Sequence, residues 1–208
     1  MGFKFVKTTM MFPTPLVEYK IADAERLNTA MLEEIAVRQQ DEEGVVRSNR
    51  SGWHSAGDFF RRREPAHAEL SAAIKQAVGH ATASISQAPD IGKVKLQLSG
   101  WINVNPTGGY NVPHDHPGSF WSGCYYIQVP EGSGRNEDGA ISFIDHRSAP
   151  AGQALIKAGA LVGFHARRPD PGTLLLFPSG QRHWVYPNPG PEDRVTMAFN
   201  ATAKLPEG

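Results

Sequence analysis

The hydrophobic pattern of this chain changes its period once, near Pro89, and this change limits the fold more than any other feature. Before it, apolar residues recur every three or four positions, which predicts amphipathic helices over residues 23–40 and 65–87. After it, apolar and polar residues alternate, first over residues 94–105, as is typical of β-strands that bury one face. Helices followed by strands predict an α+β fold.

Short strands separated by tight turns are predicted for the second part of the chain. The chain has 21 glycines and 16 prolines among 208 residues, and many of them stand between apolar runs. After the first strand, these runs predict further strands over residues 120–129, 139–144, 173–177, 183–186 and 194–200. We expect a single domain over residues 1–208, with a helical support region over about 1–90 and a β-sandwich or small barrel over about 91–203.

Composition excludes several classes of protein. The 21 basic and 21 acidic residues give no net charge, so the chain lacks the electrostatic footprint of a protein that binds duplex DNA or an anionic membrane. Cys124 is the only cysteine, which rules out an internal disulfide and a cysteine zinc site and favours a reducing compartment. No apolar run reaches the roughly 18 residues of a membrane span, and the N-terminus lacks a signal-peptide core. We expect a cytoplasmic protein without nucleic-acid or membrane partners.

Two of the eight histidines stand out. His114 and His116 lie two positions apart after Pro113, so on an extended chain their side chains point to the same side. Two neutral imidazoles on one side offer two nitrogen ligands to a divalent metal ion, and a plain polar turn is the alternative interpretation. The histidines without a predicted ligand role are the surface residues His67 and His80 and the structural or exposed residues His54, His146 and His165.

A third histidine and an arginine follow on later strands. His183 begins a predicted strand, and an early histidine pair followed by one late histidine can close three ligands on a metal ion in a β-barrel. On the last predicted strand, Arg194 and Thr196 share a polar face. A buried arginine needs an anionic partner, because an unpaired buried charge is costly. Either a small-molecule carboxylate, with the Thr196 hydroxyl assisting, or a salt bridge to Glu192 or Asp193 would supply it.

Six stretches form a specific combination, although each alone is weak, and in order they cover nearly the whole chain. They are Ser48-Asn-Arg-Ser-Gly-Trp53, Gly100-Trp-Ile-Asn-Val-Asn105, His114-Asp-His-Pro-Gly-Ser119, Ser122-Gly-Cys-Tyr-Tyr126, Gly172-Thr-Leu-Leu-Leu-Phe-Pro-Ser179 with His183, and Arg194-Val-Thr196. Together they resemble the 2-oxoglutarate/Fe(II)-dependent oxygenases, and among these a bacterial and phage family of prolyl-hydroxylase-like members. The resemblance implies a double-stranded β-helix, a jelly-roll or cupin-like barrel, with N-terminal helices packed on it and iron at one mouth.

The resemblance also implies the metal ligands. Members of this group usually bind Fe(II) through a His-x-Asp/Glu pair and a distal histidine, but His116 stands here where the acid is expected. We predict that His114, His116 and His183 bind the metal ion and form the catalytic centre. Asp115 in place of His116 is the alternative.

Four residues are implied to bind 2-oxoglutarate. Arg194 matches the arginine that pairs with the far carboxylate of this cosubstrate, and Thr196 matches the hydroxyl residue of the same motif. Tyr126 matches a tyrosine that hydrogen-bonds this carboxylate. Asn103 lies on the polar face of the strand that enters the metal site, where relatives use such side chains on 2-oxoglutarate.

The predicted activity is that of an Fe(II)- and 2-oxoglutarate-dependent dioxygenase, which consumes O2, hydroxylates an unknown substrate and releases succinate and CO2. Two alternatives stay open: a cupin-like metal protein, such as an isomerase or ligand-binding module, that does not use O2, and a 2-oxoglutarate sensor without turnover. The substrate is a small molecule or a peptide, and residues 44–64 and 145–172 are expected to select it. The amphipathic N-terminal helices would allow a homodimer.

Overall fold

Eleven β-strands and three α-helices form the described part of the structure, a computed structural model that covers residues 2–132, 135, 137–147 and 149–204. The strands are Val17–Lys20 (β1), Asn49–Arg50 (β2), Trp53–His54 (β3), Lys95–Asn105 (β4), Tyr110–His114 (β5), Trp121–Gln128 (β6), Ile141–Ile144 (β7), Phe164–Arg167 (β8), Thr173–Pro178 (β9), His183–Val185 (β10) and Arg194–Lys204 (β11). The helices are Ala24–Asp41 (α1), Pro65–Ile85 (α2) and Gln153–Ile156 (α3). None of these helices is both long and apolar enough to cross a bilayer.

Two antiparallel sheets enclose an apolar core. The larger sheet has the strand order β1-β9-β6-β11-β4-β3, and the smaller sheet has the order β2-β5-β10-β7-β8. Apart from β7 and β8, consecutive strands from β4 to β11 alternate between the two sheets, which is the winding of a double-stranded β-helix. The core between the sheets combines Tyr126, Leu175 and Phe177 of the larger sheet with Ile141 and Phe143 of the smaller one. The predicted α+β fold with a double-stranded β-helix is confirmed.

The two long helices bury the apolar residues of the larger sheet that do not face the smaller sheet. Val195, Met197 and Phe199 of β11 belong to one buried cluster with residues of both helices, such as Met31 of α1 and Ile74 of α2. The opposite face of β11 is polar and turns toward the space between the sheets. The alternation of polar and apolar residues along this strand therefore separates the support layer from the site.

Five strands of five residues or fewer escaped prediction, because such short runs contain too few positions for an alternation to stand out. The strands β2 and β3 have two residues each, and β5 includes Pro113, which cannot donate a backbone hydrogen bond. Their partners are distant in the chain: β3 pairs with β4, and β1 pairs with β9. Residues of the region predicted as helical support thus extend both sheets at their edges.

The prediction that His67 is a surface residue is wrong. His67 is only 1% exposed, and its Nδ1 lies 2.6 Å from a carboxylate oxygen of Glu34 on α1. Its ring also lies 4.8 Å, centroid to centroid, from that of Phe59. The packing of α2 against α1 buries this side chain, and helical periodicity alone does not define which polar residues lie at such a contact. His80 is exposed, as predicted.

Candidate active site

Three histidines meet where β5 ends and β10 begins. His114 is the last residue of β5, His183 is the first residue of β10, and the two are directly paired across these antiparallel strands. His116 follows two positions after His114, where its backbone N–H donates to the carbonyl of Ser179 at 2.9 Å. One ring nitrogen from each histidine lies within 4.8 Å of the other two. The structure thus brings together the three residues predicted as metal ligands.

Two of the three imidazoles are oriented by backbone carbonyls. The Nδ1 atom of His114 lies 2.7 Å from the carbonyl of Val112, and the Nδ1 atom of His183 lies 2.9 Å from the carbonyl of Gln181. Because a carbonyl oxygen only accepts hydrogen bonds, Nδ1 carries the proton in both rings. The Nε2 lone pair is therefore left for a metal ion, which is the arrangement that supporting carbonyls give to metal-binding histidines.

The three histidines are neutral near pH 7. Burial lowers the pKa of His114, and burial together with the nearby His114 lowers the pKa of His116 to about 4. The pKa of His183 falls to about 3, again through burial first and the neighbouring histidines second. Metal ions bind the neutral imidazole, so these residues are in the protonation state that a ligand needs. Three such nitrogen donors fit a divalent ion such as Fe(II).

Asp115 points away from this cluster. Its residue is exposed, and the metal-capable cluster found among the described residues consists of His114, His116 and His183 alone. The extended backbone accounts for this, since the side chain between two residues that face one side must face the other. The geometry therefore favours the three-histidine ligand set over the alternative with Asp115.

Arg194 is buried in the same cleft and has no acidic partner among the residues that the structure describes. It is 2% exposed, its Nε donates to the carbonyl of Gly139 at 2.9 Å, and its Nη1 lies 3.5 Å from the Thr196 hydroxyl. Its Nη2 is buried without a hydrogen-bond partner. Among the described residues, neither Glu192 nor Asp193 forms a salt bridge with it. A guanidinium in this state is ready for an anionic ligand, because an unpaired buried charge is unfavourable.

Polar atoms without partners surround this arginine. The Tyr126 ring centroid lies 5.2 Å from the guanidinium carbon of Arg194, and the Tyr126 hydroxyl is buried without a partner. Burial raises the pKa of Tyr126, so the phenol stays protonated and can donate a hydrogen bond. The Oδ1 atom of Asn103 is likewise buried and unpaired, and Asn103, Arg194 and Thr196 line the cleft together with the three histidines. The four residues predicted to bind 2-oxoglutarate are thus close to one another.

Aromatic and polar side chains surround the predicted site residues. Trp101 lines the cleft beside His116, and its ring is stacked on that of His54. A chain of polar side chains also reaches the cleft: the Asn105 amide donates to Asn111, and the Asn111 amide donates to the Ser48 hydroxyl. The alternation along residues 94–105 was the available signal for Trp101. Nothing local connects Ser48 or His54 to a site on β5 and β10.

A second cavity of about 400 Å³ lies beside the site. Its walls are residues 10–16 of the N-terminal segment and the segments 145–147 and 159–165, and Phe143 and Phe177 contribute their rings. The Phe177 ring also contacts His183, with 4.8 Å between ring centroids. Part of the region expected to select the substrate therefore lies next to the histidine cluster.

Comparison with known proteins agrees with this geometry. A family model described as "Putative 2OG-Fe(II) oxygenase" matches residues 99–200, which hold every strand from β5 to β10 and most of β4 and β11. No curated protein matches the chain in sequence.

Several solved structures share the fold. A prolyl-4-hydroxylase from Pseudomonas putida has a TM-score of 0.64 at 15% identity, covering 90% of this chain and 91% of that one. A prolyl hydroxylase from Trichoplax adhaerens, solved with a peptide fragment of hypoxia inducible factor, has a TM-score of 0.61 at 14% identity, covering 90% and 83%. HygX from Streptomyces hygroscopicus, solved with nickel and 2-oxoglutarate, has a TM-score of 0.60 at 12% identity, covering 91% and 83%.

The fold and the cleft define an oxygenase of the double-stranded β-helix class, with a three-histidine cluster and a buried arginine. The chain matches the 2OG-Fe(II) oxygenase family model over residues 99–200, just under half of its length, and this match covers its β core. It is an enzyme of that group, whose cofactors are Fe(II), 2-oxoglutarate and O2.

Proposed function

We propose that this enzyme couples the oxidative decarboxylation of 2-oxoglutarate to the hydroxylation of a C–H bond in a small-molecule or peptide substrate. One oxygen atom of O2 enters succinate, which is released with CO2, and the other enters the substrate. The observation that carries the proposal is Arg194, a buried guanidinium without a carboxylate partner in the cleft of the three histidines. In a metal protein that binds no acid, this buried charge would stay without an anionic partner, which is unfavourable.

The metal ligands of the proposal are His114, His116 and His183. Bound Fe(II) supplies the activation of O2 and a chelation point for the 2-oxo acid. Because all three ligands are neutral, the ion keeps its full charge of two, and Arg194 adds a third positive charge to a buried cleft. A dianion such as 2-oxoglutarate balances most of this charge, which supports a dicarboxylate over a neutral ligand.

The far carboxylate of the cosubstrate is assigned to the residues around Arg194. The unpaired Nη2 of Arg194 and the Tyr126 hydroxyl are buried donors, and the Thr196 hydroxyl lies 3.5 Å from the guanidinium. A carboxylate with two oxygens satisfies these donors at once, through charge-assisted hydrogen bonds. The Asn103 amide is assigned to the same ligand. Its NH2 group can donate to a carboxylate or keto oxygen of this ligand, whereas its Oδ1, which is buried without a partner among the described residues, can only accept.

An anaerobic titration of the Fe(II)-loaded protein with 2-oxoglutarate tests this function. Chelation gives a visible metal-to-ligand charge-transfer band, and its growth gives the dissociation constant. We expect Arg194→Met to weaken 2-oxoglutarate binding by about 100-fold or more while iron binding persists, since at least two charge-assisted hydrogen bonds are lost. Arg167→Met is the control, because Arg167 is a surface residue paired with Glu18.

Three outcomes contradict the proposal or its parts. Iron binding without a charge-transfer band would favour the metal protein that does not use O2. A band without succinate formation in air, with any substrate tested, would favour the 2-oxoglutarate sensor. An unchanged dissociation constant in Arg194→Met would remove Arg194 from the cosubstrate site.

A further inference from the structure

The three histidines of the cleft are not supported in the same way. The Nδ1 atoms of His114 and His183 each donate to a backbone carbonyl. Among the described residues, no hydrogen bond holds the ring of His116. A histidine that binds a metal ion normally has its second nitrogen or its ring face held by a neighbour, because a free ring loses rotational freedom on binding. Contacts other than hydrogen bonds must therefore orient the His116 ring.

An aromatic pair lies against the His116 ring. The centroid of the Trp101 ring lies 5.9 Å from that of His116, at an interplanar angle of 52°. The other ring partner of Trp101 is His54, whose ring is nearly parallel to the Trp101 ring, with an interplanar angle of 13° and 5.3 Å between the centroids. Both distances lie in the range of attractive aromatic contacts. The rings of His54, Trp101 and His116 thus form a continuous row, which we call the aromatic row.

The backbone holds this row firmly at its far end. His54 is paired with Asn103 across β3 and β4, which makes it the diagonal neighbour of Trp101 on the same face of the larger sheet. The next residue, Ser55, makes two hydrogen bonds to Ile102: its N–H donates to the Ile102 carbonyl and its hydroxyl accepts from the Ile102 N–H, both at 3.0 Å. The residue beside Trp101 is therefore fastened to the residue beside His54.

His54 itself has little freedom. It is 6% exposed, and its Nδ1 lies 2.7 Å from the carbonyl of Ser55. Trp101, in contrast, is half-buried and lines the cleft, and it is absent from both apolar core clusters. A tryptophan that belongs to no core cluster and is stacked on a buried histidine has its orientation defined by that histidine.

We propose that His54 and Trp101 position His116 for metal binding, with His54 fixing the Trp101 ring and Trp101 fixing the imidazole. This inference rests on the proposed function, since it takes His116 to be a ligand. His54 and Trp101 are positioning residues: they touch the ligand and not the metal ion. The aromatic row does for His116 what backbone carbonyls do for His114 and His183.

Cobalt titration tests this role without turnover. The purified, metal-free protein is titrated with Co(II), whose visible absorption reports both affinity and coordination geometry. We expect His54→Ala to weaken Co(II) binding by about 10- to 100-fold, the usual effect of losing a residue that orients a metal ligand. His54→Phe keeps the stacked ring and should restore binding to within about threefold.

The matched control is His67→Ala. His67 is also a buried histidine in contact with an aromatic ring, that of Phe59, but it lies in the helical layer. A role in packing alone would lower the unfolding temperature of His54→Ala and His67→Ala alike and leave both cobalt affinities at the wild-type value. That result, obtained at a temperature where all variants are folded, would overturn the proposal.

A double substitution checks that His54 acts through Trp101. If it does, Trp101→Leu weakens Co(II) binding and the further change His54→Ala adds little, whereas independent effects would add. Additive effects would overturn the chain of contacts. His183→Ala separates this inference from the proposed function: wild-type cobalt affinity in His183→Ala removes the metal site and both proposals, whereas loss of binding in His183→Ala with none in His54→Ala removes this inference alone.

Discussion

The protein contains two almost fully buried arginines, and they differ in their partners. Arg38, on α1 in the support layer, is 3% exposed and pairs with Glu42 at 2.8 Å and with Asp58 at 2.6 Å. Arg194, in the cleft, is 2% exposed, and its hydrogen-bond partners among the described residues are the Gly139 carbonyl and the Thr196 hydroxyl. Each guanidinium keeps one buried nitrogen without a partner.

The difference fits a structural role for Arg38 and the ligand-binding role proposed for Arg194. Around Arg38 the chain supplies its own anions, and Arg62 joins the same network through Glu42 and Asp58. Around Arg194 the described part of the chain supplies no carboxylate, and the proposed 2-oxoglutarate would be the balancing anion. Burial alone does not distinguish the two roles, since both arginines are equally buried. The number of carboxylate partners does.

The largest expected effect is on stability, where the two arginines should behave in opposite ways. Arg38→Met should lower the free energy of unfolding by about 3 kcal/mol, because Glu42 and Asp58, both partly buried, lose their shorter contacts to Arg38 and keep only the longer ones to Arg62. Arg194→Met should leave the stability of the ligand-free protein unchanged or raise it, because it removes an unpaired buried charge. Urea denaturation of the metal-free variants measures both. Equal losses in the two variants would break the comparison.

The two regions should also lose stability in different pH windows. The folded-state pKa values of His114, His116 and His183 lie below the ordinary 6.5, at about 4 for His116 and about 3 for His183. Their contribution is complete above pH 6.5 and declines as pH falls toward 4, because the unfolded chain binds protons first. Burial opposes ionisation of Asp58, but Arg38 and Arg62 bring its pKa below 3.8. The stability that ionised Asp58 contributes is therefore lost only as the pH falls to about 3.8 and below.

Urea midpoints of the metal-free protein from pH 7 to about pH 5.5, above the range in which carboxylates of the unfolded chain bind protons, check this separation. In this range His183→Gln should reduce the slope of stability against pH, because one lowered histidine pKa is removed. Glu64→Gln, in the support layer, should leave the slope as it is, since hydrogen bonding to its own backbone and the pairing with Arg62 hold the pKa of Glu64 at about 2. If Glu64→Gln changed the slope and His183→Gln did not, the pH dependence would belong to the support layer.

The smallest expected effect concerns the phenol beside Arg194. Tyr126→Phe should weaken 2-oxoglutarate binding by about five- to tenfold, the value of one hydrogen bond of roughly 1 kcal/mol. The stability of the ligand-free protein should not fall, since the Tyr126 hydroxyl has no partner to lose. Tyr125→Phe is the contrasting variant: the Tyr125 hydroxyl donates to Asn28 at 2.7 Å, so its removal should cost stability and spare 2-oxoglutarate binding. A loss of stability in Tyr126→Phe together with weaker 2-oxoglutarate binding in Tyr125→Phe would contradict both assignments.

Much of the candidate site was accessible from local rules. Alternation along an extended chain predicts that His114 and His116 share a side, and that Arg194 and Thr196 share another. The structure brings all four to one cleft. These predictions succeed because the period of a strand is a property of the backbone and does not depend on which strands pair.

Other parts of the site depend on pairing between distant segments. His54 stacks on Trp101, which lines the cleft, because β3 pairs with β4, about 50 positions later in the chain. His67 is buried because α2 packs on α1, and Arg38 meets Asp58 across a loop. No pattern within a window of a dozen residues contains these contacts, and none of the three side chains differs locally from a surface residue.

The sequence by itself therefore determined the class of fold, the side on which each strand residue lies and the residues able to bind a metal ion and a carboxylate. The tertiary structure alone decided which buried arginine pairs with carboxylates of the chain, Arg38 and not Arg194 among the described residues, and which rings lie next to His116. The physical reason is that backbone geometry sets direction at short range, whereas partners are set by packing between elements far apart in the chain.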